Sequence, residues 1–174
     1  MLRLRGFIAI PPYTSSEFDH GDVHLASGRV FVAHTAAATI ESLDGEQDAH
    51  LATIPGCPEA SGVLCAQEEG LVFAAARGSG TLLVLNALSA TVQREIAVGP
   101  RPNGLSWDLT RKRLLVADVR ENTARLLDPL AVQTVATTEL PGRPRWCVYD
   151  RRDDRFLVNI REPACVVALT AAGA

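Results

Sequence analysis

Four copies of one pattern stand at a fixed spacing in this chain. The segments RVFVAH from Arg29, LVFAAA from Leu71, RLLVAD from Arg113 and RFLVNI from Arg155 each begin 42 residues after the one before. The same step relates Leu43, Leu85, Leu127 and Leu169, and it relates Thr39, Thr81 and Thr123, with Cys165 in the fourth copy. A register kept without insertion marks a repeat architecture, in which each copy is one supersecondary unit and neighbours build the core between them.

Within a copy the sequence divides into four strand-length pieces, clearest as GLSWD at 104–108, RLLVAD at 113–118, TARLLD at 123–128 and TVATTEL at 134–140. The links LTRK, VREN and PLAVQ are turn-length and mostly polar. Asp44, Asn86 and Asp128, with Thr170 as the fourth member, follow the repeated leucines where a side chain that bonds its own backbone would cap a turn. The apolar residues come in short runs without a 3.6-residue period, which excludes a helical solenoid. Four short antiparallel strands per repeat predict an all-β fold, a β-propeller of about four four-stranded blades.

The expected blades are 18–60, 61–102, 103–144 and 145–174, in a single domain covering 1–174. The last copy stops after a third strand, VVAL, and the tail TAAGA. At the other end, LRLRGFIAI precedes Pro11 and Pro12 much as TVQREIAV precedes Gly99 and Pro100. Residues 2–10 are therefore expected to supply the outer strand of the fourth blade.

Composition narrows the class of function. With 47% hydrophobic residues and a net charge of −3, the chain can bury a core but carries no basic footprint for nucleic acid. Arg111 and Arg113, and Arg151, Arg152 and Arg155, cluster beside aspartates in strand-to-strand turns and read as solvated hairpin tips. No apolar stretch approaches a membrane span, and MLRLRGFIAI lacks a secretory h-region and cleavage site, so a soluble cytoplasmic protein is expected. Cys57, Cys65, Cys147 and Cys165 lack metal-ligand spacing and read as small buried hydrophobes.

The stretch LLVLNALSATVQREIAVGPRPNGLSWDLTRKRLLVAD at 82–118 resembles the YVTN-type propeller repeat, and the likeness extends over nearly the whole chain from Phe18. The YVTN element itself reads FVAH, FAAA, LVAD and LVNI here. The resemblance implies a propeller usually built of seven blades. Three assemblies stay open: a closed four-bladed monomer, two chains completing an eight-bladed ring through exchanged outer strands, or half of a larger ring whose other blades lie elsewhere in a longer chain. The second and third keep the blade geometry ordinary.

In a propeller the loops entering the innermost strands converge on one rim of the channel. Here they are FDHG at 18–21, EASG at 59–62, RPNG at 101–104 and RPRW at 143–146, which place Asp19, Ser61, Asn103 and Arg145 at equivalent positions. The stretch from Pro102 to Asp128 also resembles the gluconolactonase, or SMP-30-like, family. That likeness implies a divalent cation, Ca²⁺ or Zn²⁺, held by Asn103 with Asp19 and Glu59 as carboxylates, and a lactone carbonyl polarised by the ion. Arg145 departs from this pattern, because it stands where a further acidic ligand is expected.

Asp19 beside His20 is the one local cluster of titratable groups near the rim, although adjacent strand residues point to opposite faces. His24, His34 and His50 read as structural. Trp107 and Trp146 fall on or beside inner strands, where a ring walls a pocket or fills the gap between blades. No nucleophile elbow, phosphate loop or dinucleotide fingerprint occurs. The leading expectation is a non-catalytic propeller that binds a small polar ligand or a protein at the rim through Asp19, His20, Glu59, Arg101, Asn103, Arg143 and Arg145. The alternatives are a metal-dependent lactonase and a purely structural repeat module.

Overall fold

A computed structural model describes residues 1–172; the last two residues of the expected fourth blade, 173 and 174, lie outside the described residues. Among the described residues every regular element is a strand, and no helix is long and apolar enough to cross a membrane. The first sheet orders β1 (Phe18–His24), β2 (Arg29–His34), β3 (Thr39–Asp44) and β4 (Ala49–Pro55) side by side. The second does the same with β5 (Ala60–Ala66), β6 (Leu71–Ala76), β7 (Thr81–Asn86) and β8 (Val92–Ala97). The third holds β9 (Pro102–Asp108), β10 (Arg113–Asp118), β11 (Thr123–Asp128) and β12 (Gln133–Glu139). The fourth, among the described residues, has β13 (Pro144–Asp150), β14 (Arg155–Ile160) and β15 (Cys165–Thr170).

The turns show why the repeat is so regular. Oδ1 of Asp44 accepts from the N–H groups of Glu46 and Gln47, and Asn86 and Asp128 do the same for the two equivalent turns. Each of these turns ends on a left-handed residue at the same step, Asp48 (φ 52°), Ala90 (φ 55°) and Val132 (φ 56°). The hairpins joining the first two strands of each blade repeat the device at Gly28, Gly70, Lys112 and Asp154.

The core lies between blades, because each sheet packs against its neighbours and the two central sheets bury both faces. Phe31, Ala33 and Ile40 of the first blade meet Val72, Ala74, Leu83 and Leu85 of the second. Phe73, Leu82 and Val84 meet Leu105, Leu114 and Leu127, and Leu115 and Leu126 meet Phe156 and Val158. Fully buried side chains such as Phe31 and Phe73 each contribute roughly 1.5–3 kcal/mol of transfer free energy. The innermost strands β1, β5, β9 and β13 pack in sequence around an axis. Their approach is close: a Cβ on Gly62 would lie 2.2 Å from the Asn103 carbonyl oxygen.

The sheets do not close into a ring, so the array is a partial propeller. The expected outer strand from residues 2–10 is not formed, and residues 1–17 belong to no sheet. With the ring open, the first and last blades stand at opposite ends of the array, and the N-terminal segment runs over the free face of the first blade. Arg5 pairs with Asp48, and Tyr13 and Phe18 pack their rings on His34.

That free face carries polar side chains where the second blade is apolar. Glu41, equivalent to Leu83 by the repeat, is fully buried, with Thr39 and Thr53 donating to its two oxygens at 2.7 Å each. His34 Nδ1 and His50 Nε2 complete the shell at 3.2 and 2.9 Å. His34 and His50 are thus structural members of a network centred on Glu41.

Candidate functional site

Two sets of loops share one face of the array, because the entry into each inner strand and the turn between the second and third strands are hydrogen-bonded to each other. The Gly78 amide donates to the Pro58 carbonyl, Val119 to Arg101 and Arg161 to Arg143, at 2.9, 3.0 and 2.9 Å. The rim is therefore built from the entries together with residues of the second turn. The residue that organises the site, Arg77, belongs to that turn.

Arg77 lies among the three candidate metal ligands. Its Nη1 donates to Asn103 Oδ1 at 3.0 Å and stands 3.8 Å from Asp19 Oδ2, while its Nε is 3.4 Å from Glu59 Oε2. Arg101 Nη2 reaches the same Glu59 oxygen at 2.6 Å. Asn103 is buried, and its amide nitrogen donates to the Arg145 carbonyl at 2.8 Å, so both ends of the side chain are engaged. Asp19, Glu59 and Asn103 do converge, but on a guanidinium.

This donor set does not fit Ca²⁺ or Zn²⁺. A divalent ion would need several free oxygens, or imidazole and thiolate ligands, and here it would sit against Arg77. Among the described residues, no three His, Cys, Asp or Glu side chains gather as a metal ion requires.

His20 and Asp19 meet after all: Nδ1 lies 2.6 Å from Asp19 Oδ1. The alternation that would separate them fails because the register of β1 against β2 shifts between Phe18 and Gly21. On its other side the His20 ring stacks on Trp146, with centroids 4.0 Å apart and planes 12° from parallel. The stack joins the first and last blades across the axis. Asp22 bonds no imidazole; its carboxylate accepts from the Val23 and Cys65 amides.

A cavity of about 330 Å³ lies between the inner strands, lined by Asp22, Cys65, Leu105, Ser106, Trp146 and Tyr149 among others. Trp107 borders it and packs on Phe73, which makes it chiefly a filler between blades. Burial pushes the Cys57 and Cys65 thiols up to about 12 and raises that of Cys147 as well, so these three are unreactive thiols. Cys165 is the exposed one, contrary to the expectation for it.

Charge is distributed unevenly around the rim. Asp19 and Glu59 belong to the entries of the first two blades, whereas Arg101, Arg143 and Arg145 belong to those of the third and fourth. Arg143 and Arg145 are exposed and, among the described residues, make no ion pair.

No family model matches this chain, and no curated protein matches it in sequence. Solved structures match its shape. A chain of the mitotic checkpoint complex superimposes with a TM-score of 0.81 at 12% identity, over 94% of this chain and 51% of that one. Sqt1 of Saccharomyces cerevisiae gives 0.78 at 15%, over 91% of this chain and 48% of that one. A catalytically inactive virginiamycin B lyase from Staphylococcus aureus with quinupristin gives 0.70 at 9%, over 94% and 58%. The chain is similar to about half the length of each of these propeller-like proteins, and the likeness is one of fold.

Proposed function

We propose that this chain is a non-catalytic binding propeller whose rim takes a zwitterionic segment, with its cationic end toward Asp19 and Glu59 and its carboxylate toward Arg143 and Arg145. The observation that carries this reading is the split of charge around the rim, with two unpaired guanidinium groups on one side. Arg77 is already committed to Asn103 and the two carboxylates, so it shapes the floor and leaves the exposed arginines to meet an anion. The stacked His20 and Trp146 rings add a flat apolar surface between the poles. One structural neighbour is a chain of a protein complex, which favours a protein segment as the natural form of such a ligand.

Titration of Trp fluorescence with dipeptides and with their N-acetyl and C-amide analogues tests this. Free dipeptides should bind, both blocked forms should bind more weakly, and R143A/R145A should lose about tenfold or more in affinity, as expected for losing charged hydrogen bonds worth ~1.5–3 kcal/mol. Equal response to free and blocked peptides, or no effect of the double variant, refutes the reading.

A further inference from the structure

We propose that residues 2–10 of a second copy of this chain form the missing fourth strand of the last blade, so that two copies close one ring. This inference is independent of what the rim binds. Among the described residues three sheets have four strands and the fourth has three, and no strand pairs with the outer edge of β15. An exposed edge of this kind is a template for an added strand. The chain itself holds a strand-like segment without a sheet, LRLRGFIAI, in which Leu2, Leu4 and Phe7 are exposed to solvent.

The repeat fixes how the two would pair. In the second blade Thr81, Leu82, Leu83 and Leu85 of β7 lie opposite Ala97, Ile96, Glu95 and Val92 of β8. Matching Ile8-Ala9-Ile10 to Ile96-Ala97-Val98 then sets Ala9 opposite Cys165, Ile8 opposite Val166, Phe7 opposite Val167 and Leu4 opposite Leu169. Val167 and Leu169 pack toward the third blade, where an open groove of about 270 Å³ runs past Leu126, Ala136, Phe156 and Leu169. Phe7 and Leu4 would enter that groove. Ile8 would join Val166 on the opposite face, beside Trp146 and Leu157, where the next blade must sit.

Two further observations select a second copy as the occupant. The four blades overlay about half the length of the neighbouring chains at TM-scores of 0.81 and 0.78, as one half of a two-copy ring would. The N-terminal segment is already at the free face of the first blade, as the Arg5–Asp48 pair and the Tyr13 contact to His34 show. In a two-chain ring that face meets the last blade of the partner. The segment therefore needs only to pair with the β15 edge arriving there, an exchange of identical elements with closed two-fold symmetry.

Light scattering across a dilution series, together with cysteine trapping, tests the proposal. The wild-type chain should show twice the 18.6 kDa chain mass, and Phe7→Glu should return it to the single-chain mass without changing its β spectrum. In Ala9→Cys, oxidised glutathione should link position 9 to Cys165 between chains, giving the doubled species on a non-reducing gel. The link should be absent in wild type and in A9C/C165A. A single-chain mass at every concentration, a disulfide closed within one chain, or assembly that runs past two copies would each overturn it.

Discussion

Replacing Glu41 by Gln tests whether the polar network on the first blade holds that blade together. Burial alone would push the Glu41 carboxyl up, but hydrogen bonds from Thr53, Thr39, His50 and His34 outweigh it and hold the carboxyl below its ordinary value. Glu41→Gln keeps the shape and removes the charge. The two contacts at the retained oxygen become neutral, and the new amide group faces a hydroxyl and an imidazole that must turn to accept. Taking about 1 kcal/mol per contact for the loss of charge assistance, the variant should be destabilised by roughly 2–4 kcal/mol, or on the order of 10 °C in Tm for a chain of this size. The sign of the pH dependence follows from the lowered pKa. The stabilisation is fully present above the unfolded-state value and disappears as pH falls through the folded-state value. Urea unfolding of both proteins at one concentration, from pH 7 down to pH 3, should therefore show the gap between them closing with acid. A gap below about 0.5 kcal/mol at pH 7, or one constant with pH, refutes the argument.

Other outcomes follow from local geometry. Val132 is exposed and holds φ 56°, a conformation that penalises a β-branched residue, so Val132→Gly should raise stability by about 1 kcal/mol in thermal unfolding. Gly104→Ala should lower it by roughly 1–3 kcal/mol or more, because a Cβ there meets the Arg145 carbonyl oxygen at 2.7 Å. Arg111 donates to both oxygens of Asp154 and, with Tyr149, holds that carboxyl at about 2. Carbon NMR should show the Asp154 titration moving up toward the usual carboxylate range in Arg111→Ala; an unchanged midpoint would mean that the inter-blade pair does not form in solution.

The repeat made the strands of the third copy legible to within a residue or two. Strands expected at 113–118 and 123–128 form at those bounds, since each is closed by a turn residue that recurs at the same step. The outer strand expected at 2–10 does not form, because a strand forms only where an edge is offered, and in one open chain that edge is at the far end of the array. The rim shows the same division. Asp19, Glu59 and Asn103 could be read as converging, since the period assigns them to equivalent entries. What they converge on could not, because Arg77 stands in a different turn, at a position held by Thr35, Val119 and Arg161 in the other copies.

A repeat reports what its copies have in common, whereas the functional candidates here are the positions where the copies differ. Glu41 against Leu83, Arg77 against Val119 and Trp146 against Gly104 are departures at equivalent places, and each has a structural counterpart. Glu41 faces the side of the first blade that no other blade of this chain covers, Arg77 takes the centre of the rim, and Trp146 stands on the last inner strand, where its ring meets His20 of the first. At Gly62 and Gly104, by contrast, the following inner strand comes too close for any side chain. If two copies do close a ring, the ends of the array become internal, and the side chains that now mark the first and last blades become the ones that recognise the partner. Specificity for a second copy would then reside in the two blades that depart most from the repeat, while the two central blades serve to set the curvature.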